Sequence, residues 1–418
     1  MADRDVIDRL REIIRRIESH KPTESPFRAS RSLRTNDMET TKNPVVAGRH
    51  PEPESLEFSD GQGIRRVTAL YSTGSPDGLE PPEPSSLEGF RSLDPLLEST
   101  DGWLYLDIET TGLLGAGTMA FLVGLGQWVG SGFMVTQWLL KDRDYEPSLL
   151  QEVWRAMESS SALITFNGKC FDVPVLQNRF VLSGLTSPLP IGAHLDLLSS
   201  AKSMGKRPEY GQSLKESVRR FVGISRHKDI PGHVIPALYF MYEKEGDISL
   251  LEPVMEHNRL DVLDMACLVR VFGQVLVGAR DLSGDARAFG GAGRLHYRKR
   301  NLALARKCLE SARATSSDPD RNHLRLLAHV MRRQGDWESA SKIWENLIQE
   351  GTEDYSDYLW LARYYELVKA DLTGSIRLVE EAIQRNFDQT EPPPPLVRRK
   401  KRLERRITAQ SRSGRPVI

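Results

Sequence analysis

Cysteine is scarce in this chain of 418 residues: three only, Cys170, Cys267 and Cys308, odd in number and far apart. They form no CxxC pair, which argues against a zinc knuckle or a disulfide framework and fits a reducing cytoplasm. An excess of either charge is also missing, because 57 Lys and Arg balance 57 Asp and Glu. No global field draws the protein to nucleic acid or to an anionic membrane, so any such attraction has to come from local patches. Long apolar runs are lacking too. The longest, near Met119 to Gly130, includes Gln127 and is too short to span a bilayer, so no membrane partner is expected. The N-terminal residues are charged from the start and lack a signal-peptide core. A soluble, cytoplasmic protein of two or three domains is the expectation.

The most informative segment present is Leu104-Tyr-Leu-Asp-Ile-Glu-Thr-Thr-Gly112. Side chains alternate along a strand, so Tyr105, Asp107 and Glu109 share one face while Leu104, Leu106 and Ile108 share the other. Two acids side by side in an apolar strand repel each other and resist burial unless something positive sits between them. A divalent metal is the simplest occupant, since carboxylate oxygens are its natural hard ligands. Thr110, Thr111 and Gly112 end the strand and leave the acids near its C-terminal end, where open α/β sheets place their sites.

The central segment, about 93–278, alternates strand-like and helix-like stretches and predicts a mixed α/β sheet. Strand candidates are Trp103–Glu109, Ala120–Trp128, Phe133–Leu139, Ala162–Phe166 and Ile191–Leu197, with a strand or hairpin arm at Ile64–Tyr71. Helix candidates are Leu149–Glu158, Pro174–Leu182 and Leu251–Val275. Before it, Asp3–Ser19 reads as an amphipathic helix that docks on the body or binds a partner, and 20–54 as a mobile polar linker. After it, strand signals vanish and a repeat of 35 residues aligns Leu302, Trp337 and Leu372, then Ala305, Ala340 and Ser375. Asn301, Asp336 and Asp371 open these helices as caps. The pattern resembles tetratricopeptide helix pairs with a degenerate first unit, because Gly290, Gly291 and Gly293 lie where its leading helix belongs. Pro392–Pro395 stops the last helix, and the basic tail beyond it either tracks a phosphate backbone or is a solvated helical end. The expected division is 1–44 helix and linker, 45–280 catalytic domain, 281–390 helical repeats that recruit a protein partner, and 391–418 basic tail.

Two further segments carry chemistry. In Asn167-Gly-Lys-Cys-Phe-Asp172, the acid stands at a strand-to-helix junction, where it either caps the helix or joins a site. In Glu256-His-Asn-Arg-Leu-Asp-Val-Leu-Asp264, His257, Asp261 and Asp264 project from one helix face. That face is either an ordinary solvated one or the third part of the site.

Taken in order, Asp107-x-Glu109, Asn167-x3-Phe171-Asp172 and His257-x3-Asp261 resemble the three motifs of the DEDD exonuclease superfamily, which has a ribonuclease H-like fold. Together with Phe166-Asn-Gly-Lys169, His194-Leu-Asp-Leu197 and Pro231-Gly-His-Val-Ile-Pro236, they resemble the YprB-like ribonuclease H-like family. The resemblance covers about 45–275. It implies that Asp107, Glu109, Asp172 and Asp261 hold two Mg²⁺ or Mn²⁺ ions. It also implies hydrolysis of phosphodiester bonds in DNA or RNA, by release of nucleotides from a single-stranded 3′ end. His257 is the candidate to orient or deprotonate the water, although it stands at the four-residue spacing that the superfamily uses for Tyr. Thr110, Thr111, Gly112, Asn167, Lys169 and Phe171 are the implied substrate contacts, and Asp196 a polar group beside the site. Lys202 to Lys228 is a locally basic stretch able to hold the entering strand. The competing expectation is an interaction protein whose nuclease-like domain binds nucleic acid without cutting it.

Overall fold

The computed structural model describes residues 12, 50–61, 63–73, 79–112, 115, 117–185, 187–204, 213–226, 229–279, 286–385 and 391–413. The amphipathic helix expected at Asp3–Ser19, most of the 20–54 linker, and Lys206, Arg207 and Lys228 lie outside them. The described residues divide into two compact units, the first up to Gly273 and the second from Gln274 on, with Ser203 and Met204 counted in the second.

In the first unit, seven strands form one sheet in the order β1-β2-β5-β4-β3-β6-β7. They are β1 Ser55–Asp60, β2 Ile64–Ser72, β3 Trp103–Thr110, β4 Ala120–Val129, β5 Gly132–Leu140, β6 Ala162–Thr165 and β7 Ala193–Asp196. Pairing is antiparallel from β1 across to β3, then parallel from β3 through β6 to β7. Helices α1 Leu87–Arg91, α2 Glu146–Met157, α3 Asp172–Leu182, α4 Leu197–Met204, α5 Leu214–Phe221, α6 Ile235–Glu245 and α7 Glu252–Leu276 complete the unit, the end of α7 running past its edge. The mixed sheet with helices is the architecture expected of a ribonuclease H-like domain.

Leu104, Leu106 and Ile108 of β3 belong to one apolar core with Leu149 and Val153 of α2, Val175, Leu176 and Phe180 of α3, and Leu238 of α6. Strand β4 does not alternate in burial; Ala120–Gly126 are buried throughout. The reason lies at Gly124 and Gly126. A Cβ on Gly124 would fall 2.2 Å from Asn258 Oδ1, and one on Gly126 would fall 2.5 Å from Val262 Cγ1. Two missing side chains let α7 lie directly on the sheet, over the face that carries Tyr105, Asp107 and Glu109.

The second unit is all-helical among its described residues: α8 Ala286–Arg298, α9 Leu302–Thr315, α10 Arg321–Arg333, α11 Trp337–Gln349, α12 Tyr355–Leu367, α13 Leu372–Arg385 and α14 Pro394–Ser413. Asn301, Asp336 and Asp371 each accept a hydrogen bond from the backbone N–H three residues on, as N-caps do. Ala305, Leu309, Ala340, Trp344 and Leu347 meet in one core, while Val379, Ala382, Leu396 and Leu403 meet in another.

Two expectations need correction here. Gly290, Gly291 and Gly293 do not mark a missing helix; they lie buried within α8. A Cβ on Gly290 would fall 2.0 Å from the His323 ring, and one on Gly293 would fall 2.5 Å from Leu309. These glycines admit close neighbours at a cost in helix propensity. The prolines at 392–395 do more than end a helix. Pro394 opens α14, since a proline in the first turn loses no helical hydrogen bond, and burial of Leu396 and Leu403 docks the basic tail. Among the described residues, no helix is long and apolar enough to cross a membrane.

Gly290→Ala should lower the unfolding free energy by about 1–3 kcal/mol through overpacking. Denaturant unfolding measures it, and a variant as stable as the parent would show that the close approach of His323 is not needed.

Candidate active site

Asp107 pairs across the sheet with Gly124, and Gly124 with Gln137. Asn258 of α7 fills the space above Gly124. Its amide nitrogen donates to Asp107 Oδ2 at 2.7 Å and to the Asp107 carbonyl at 3.0 Å. Its oxygen accepts from Gln137 Nε2 at 2.7 Å, and the same nitrogen of Gln137 reaches the Met255 carbonyl at 2.8 Å. Asn258 is fully buried, so this net of partners satisfies a polar group that burial would otherwise penalise. One turn of α7 is thereby locked over the acids of β3.

Asp172 opens α3, but its side chain does not cap that helix. Its Oδ1 accepts from the Ile108 N–H at 3.2 Å, tying it to β3 between Asp107 and Glu109. Asp196, at the end of β7, holds the preceding loop. It accepts from the backbone N–H groups of Asn167 at 2.8 Å and Lys169 at 3.2 Å, and from Leu198 at 3.0 Å. Asn167 needs such an anchor, because its φ of 70° is unusual for a residue with a side chain. Asp196 thus acts on the loop that delivers Asp172. His194, which shares its strand, turns to Thr165, with Nε2 and the hydroxyl 2.9 Å apart. Burial, then the Lys169 charge, depress the His194 imidazole to about 4.

His257 stands between the acids. Nε2 lies 3.6 Å from Asp261 Oδ2 and 4.0 Å from Glu109 Oε1, while Nδ1 is 2.5 Å from Asp229 Oδ1. Arg226 braces the outer side through Asp229 Oδ2 at 3.1 Å and through Asp261 and Asp264. Asp264 is fully buried, with His50 Nε2 2.8 Å away, so it belongs to this network and not to a solvated face. Arg226, counted in the basic stretch meant for a nucleic-acid strand, faces inward instead, its side chain 3% exposed.

Positive charge reaches Asp229 and Asp261 but hardly reaches the other acids. Burial raises the Asp107 carboxyl well above its ordinary range, and Asp261, Glu109 and Asp172 push it further. Burial lifts Glu109 to about 8 against the pull of His257, and lifts Asp172 to about 7 against its backbone hydrogen bonds. Asp261 is also raised, chiefly by burial, with Arg226 and His257 opposing. Asp229 is the exception. Burial works against its ionisation, yet the His257 hydrogen bond and the charges of His257, Arg226 and Lys215 hold it at about 2. Burial disfavours the His257 imidazolium, but the Asp229 hydrogen bond and the charges of Asp261 and Glu109 outweigh it and raise its pKa.

No three His, Cys, Asp or Glu side chains among the described residues stand as a ready metal cage. The donor set still fits hard divalent cations. Asp107, Glu109, Asp172 and Asp261 bring oxygen ligands from three separate segments, and their ionisation awaits a counter-charge.

The other candidates sit around this centre. Thr110 Oγ1 donates to the Gly112 carbonyl at 2.7 Å, and Thr111 Oγ1 accepts from Met119 N–H at 3.1 Å, so both hydroxyls shape the loop. Gly112 has open space where a side chain would be. Asn167 and Lys169 are exposed and Phe171 half-buried; no contact joins their side chains to the acids. Sequence reasoning passed over Asn258, Gln137, Gly124 and Asp229, and gave Arg226 a different role. The Gly-x-Gly in an apolar strand was the available signal, since glycine there marks a close approach.

A model of the RNase_H superfamily matches residues 104–272. Over 285 residues, 67% of this chain and 68% of the relative, the sequence is 30% identical to the uncharacterized protein YprB of Bacillus subtilis (strain 168). Among solved structures, the chain is similar to the family B DNA polymerase of the hyperthermophilic archaeon Pyrobaculum calidifontis, at 14% identity and a TM-score of 0.35. That alignment covers 56% of this chain and spans only 29% of the polymerase.

Carboxyls raised on folding bind protons that the unfolded chain has lost. Between about pH 4, where unfolded carboxyls titrate, and the folded values of about 8 for Glu109 and about 7 for Asp172, stability falls as pH rises. The chelator-treated protein should melt lower at about pH 8 than at about pH 5, and Glu109→Gln should flatten that fall. A melting temperature that holds level or climbs across this window would contradict the clustered charge.

Proposed function

This chain belongs to the YprB-like proteins and carries a domain of the RNase_H superfamily, and from that membership we propose that it is a metal-dependent nuclease hydrolysing phosphodiester bonds of DNA or RNA. The observation that supports this most is the meeting of four acids, buried Asp172 and half-buried Asp107, Glu109 and Asp261, where α7 crosses the sheet. In this reading they hold two Mg²⁺ or Mn²⁺ ions, which supply the Lewis-acid charge that phosphodiester hydrolysis needs.

The remaining work falls to the chain's own groups. Asn258 keeps the Asp107 carboxylate aimed, and the Ile108 N–H does so for Asp172. His257 presents Nε2 near Glu109 and Asp261 and accepts the proton of the attacking water. Positive charge nearby would lower its pKa and favour the neutral, basic imidazole. In this reading the Thr110–Gly112 turn receives the terminal nucleotide, and Asn167, Lys169 and Phe171 contact the substrate. We read the chemistry as DEDD-type, acting from a single-stranded 3′ end in the cytoplasm. We assign it to residues 45–280, with tetratricopeptide-like repeats at 281–390 recruiting a protein partner and the basic tail at 391–418.

End-labelled single- and double-stranded DNA and RNA, each with Mg²⁺ or Mn²⁺, test this. Asp107→Asn and Glu109→Gln should each lower hydrolysis by roughly 10²-fold or more, since a lost metal ligand removes several kcal/mol of transition-state stabilisation. Turnover equal to the parent in both variants would reject the assignment.

One contact favours a second reading. Arg226 already pairs with Asp261, a cation standing where a cutting domain would need a metal. Calorimetric titration with Mn²⁺ separates the two. The nuclease reading expects uptake that Asp172→Ala abolishes, and the absence of uptake with or without an oligonucleotide would favour the binding protein.

A further inference from the structure

Arginines in the second unit fall into two kinds. Arg306 pairs with Glu310 and Asp336, and Arg325 with Asp357. Arg332, Arg333 and Arg363 have no carboxylate within salt-bridge distance among the described residues. They lie on aromatic rings instead. The Arg332 guanidinium carbon is 4.2 Å from the Trp360 ring centre and 5.6 Å from that of Trp337. The Arg363 carbon is 4.5 Å from Trp360, and the Arg333 carbon 5.5 Å from Tyr297. Arg332 is half-buried, and its Nε is a buried donor with no acceptor.

A solvated basic face does not look like this. An arginine drawn partly out of water normally carries a counter-ion or fills its hydrogen bonds. Burial, followed by repulsion from Arg363, lowers the Arg332 pKa; burial also lowers that of Arg399, with Glu366 opposing and Arg363, Arg402 and Arg406 adding to the fall. Like charges therefore run in a continuous band over α10, α12 and α14. The acid held within the band is Glu366, whose buried carboxylate meets Arg399, Arg402 and Arg406.

We propose that this arginine–tryptophan band on the helical unit binds the phosphate backbone of single-stranded nucleic acid. Guanidiniums held over indole rings and unpaired with any carboxylate among the described residues leave donors for phosphate oxygens, which a guanidinium can bind in bidentate fashion. Trp337 and Trp360 are half-buried beneath these guanidiniums, and sequence-tolerant strand binding combines cationic with aromatic side chains. An acidic peptide would supply carboxylates but nothing that uses the rings. Preference for a nucleic-acid occupant rests on the nuclease reading of the first unit, whereas the band is independent of it.

Fluorescence anisotropy of the full chain with labelled oligothymidylate, in EDTA so that nothing is cut, tests the proposal. The Arg332→Gln/Arg363→Gln double variant should bind at least about 10-fold more weakly, with a salt slope shallower by about 1–2. Arg332→Lys/Arg363→Lys should keep the slope while losing affinity, because charge remains and the guanidinium fork over the ring does not. Unfolding midpoints close to the parent establish that the variants fold. Unchanged affinity and slope in the glutamine variant would overturn the proposal, as would stronger competition by polyglutamate than by unlabelled oligothymidylate. Asp107→Asn should bind as the parent does, so that loss of cutting and loss of this binding are separate outcomes.

Discussion

One buried carboxamide governs how the sheet and the long helix meet. Asn258 donates to Asp107 and accepts from Gln137 across the gap left by Gly124. With both ends of its amide engaged, the helix cannot roll about its axis without leaving a buried polar group unpaired. The same azimuth directs His257 and Asp261, one position before and three after Asn258, toward Glu109. The placement of three functional side chains thus depends on a glycine in one strand and an amide in one helix.

The second organising feature is an imbalance of charge. Asp229, Asp261 and Asp264 share Arg226, so the outer side of the centre is neutralised by the protein itself. Asp107, Glu109 and Asp172 are half-buried or buried with no comparable cation, and their pKa values rise together. A fold tolerates such a cluster when something outside the polypeptide completes it. Asp229 gives His257 a fixed orientation through Nδ1 and leaves Nε2 to the acids. A carboxylate behind an imidazole is a common way to set which ring nitrogen faces the chemistry.

Much of the central sheet was legible because the acids interrupt an otherwise apolar alternation. Leu104-Tyr-Leu-Asp-Ile-Glu needs only the two-residue period of a strand to place Asp107 and Glu109 together. Spacing along a helix likewise put His257 and Asp261 on one face. Asp172 was harder, because helix capping explains an aspartate after a turn equally well, and only the hydrogen bond from Ile108 N–H distinguishes the two. Arg226 could not be assigned from sequence at all. Its inward turn depends on Asp229, Asp261 and Asp264, which lie 3, 35 and 38 residues away. The glycines of α8 misled for a related reason, since a residue that weakens a helix locally can be required by its packing. The basic tail read as solvated or phosphate-binding because its anchors, Leu396 and Leu403, are few among many arginines.

The hydrogen bond from Asn258 to Asp107 joins residues 151 positions apart. Closing so long a loop carries an entropic cost that neighbouring contacts cannot offset until much of the unit is in place. During synthesis the strand bearing Asp107 and Glu109 emerges long before the helix that completes their surroundings. A ribosome-bound chain that has not yet made α7 therefore holds the acids without the assembled centre. Assembly of the centre waits for the synthesis of α7.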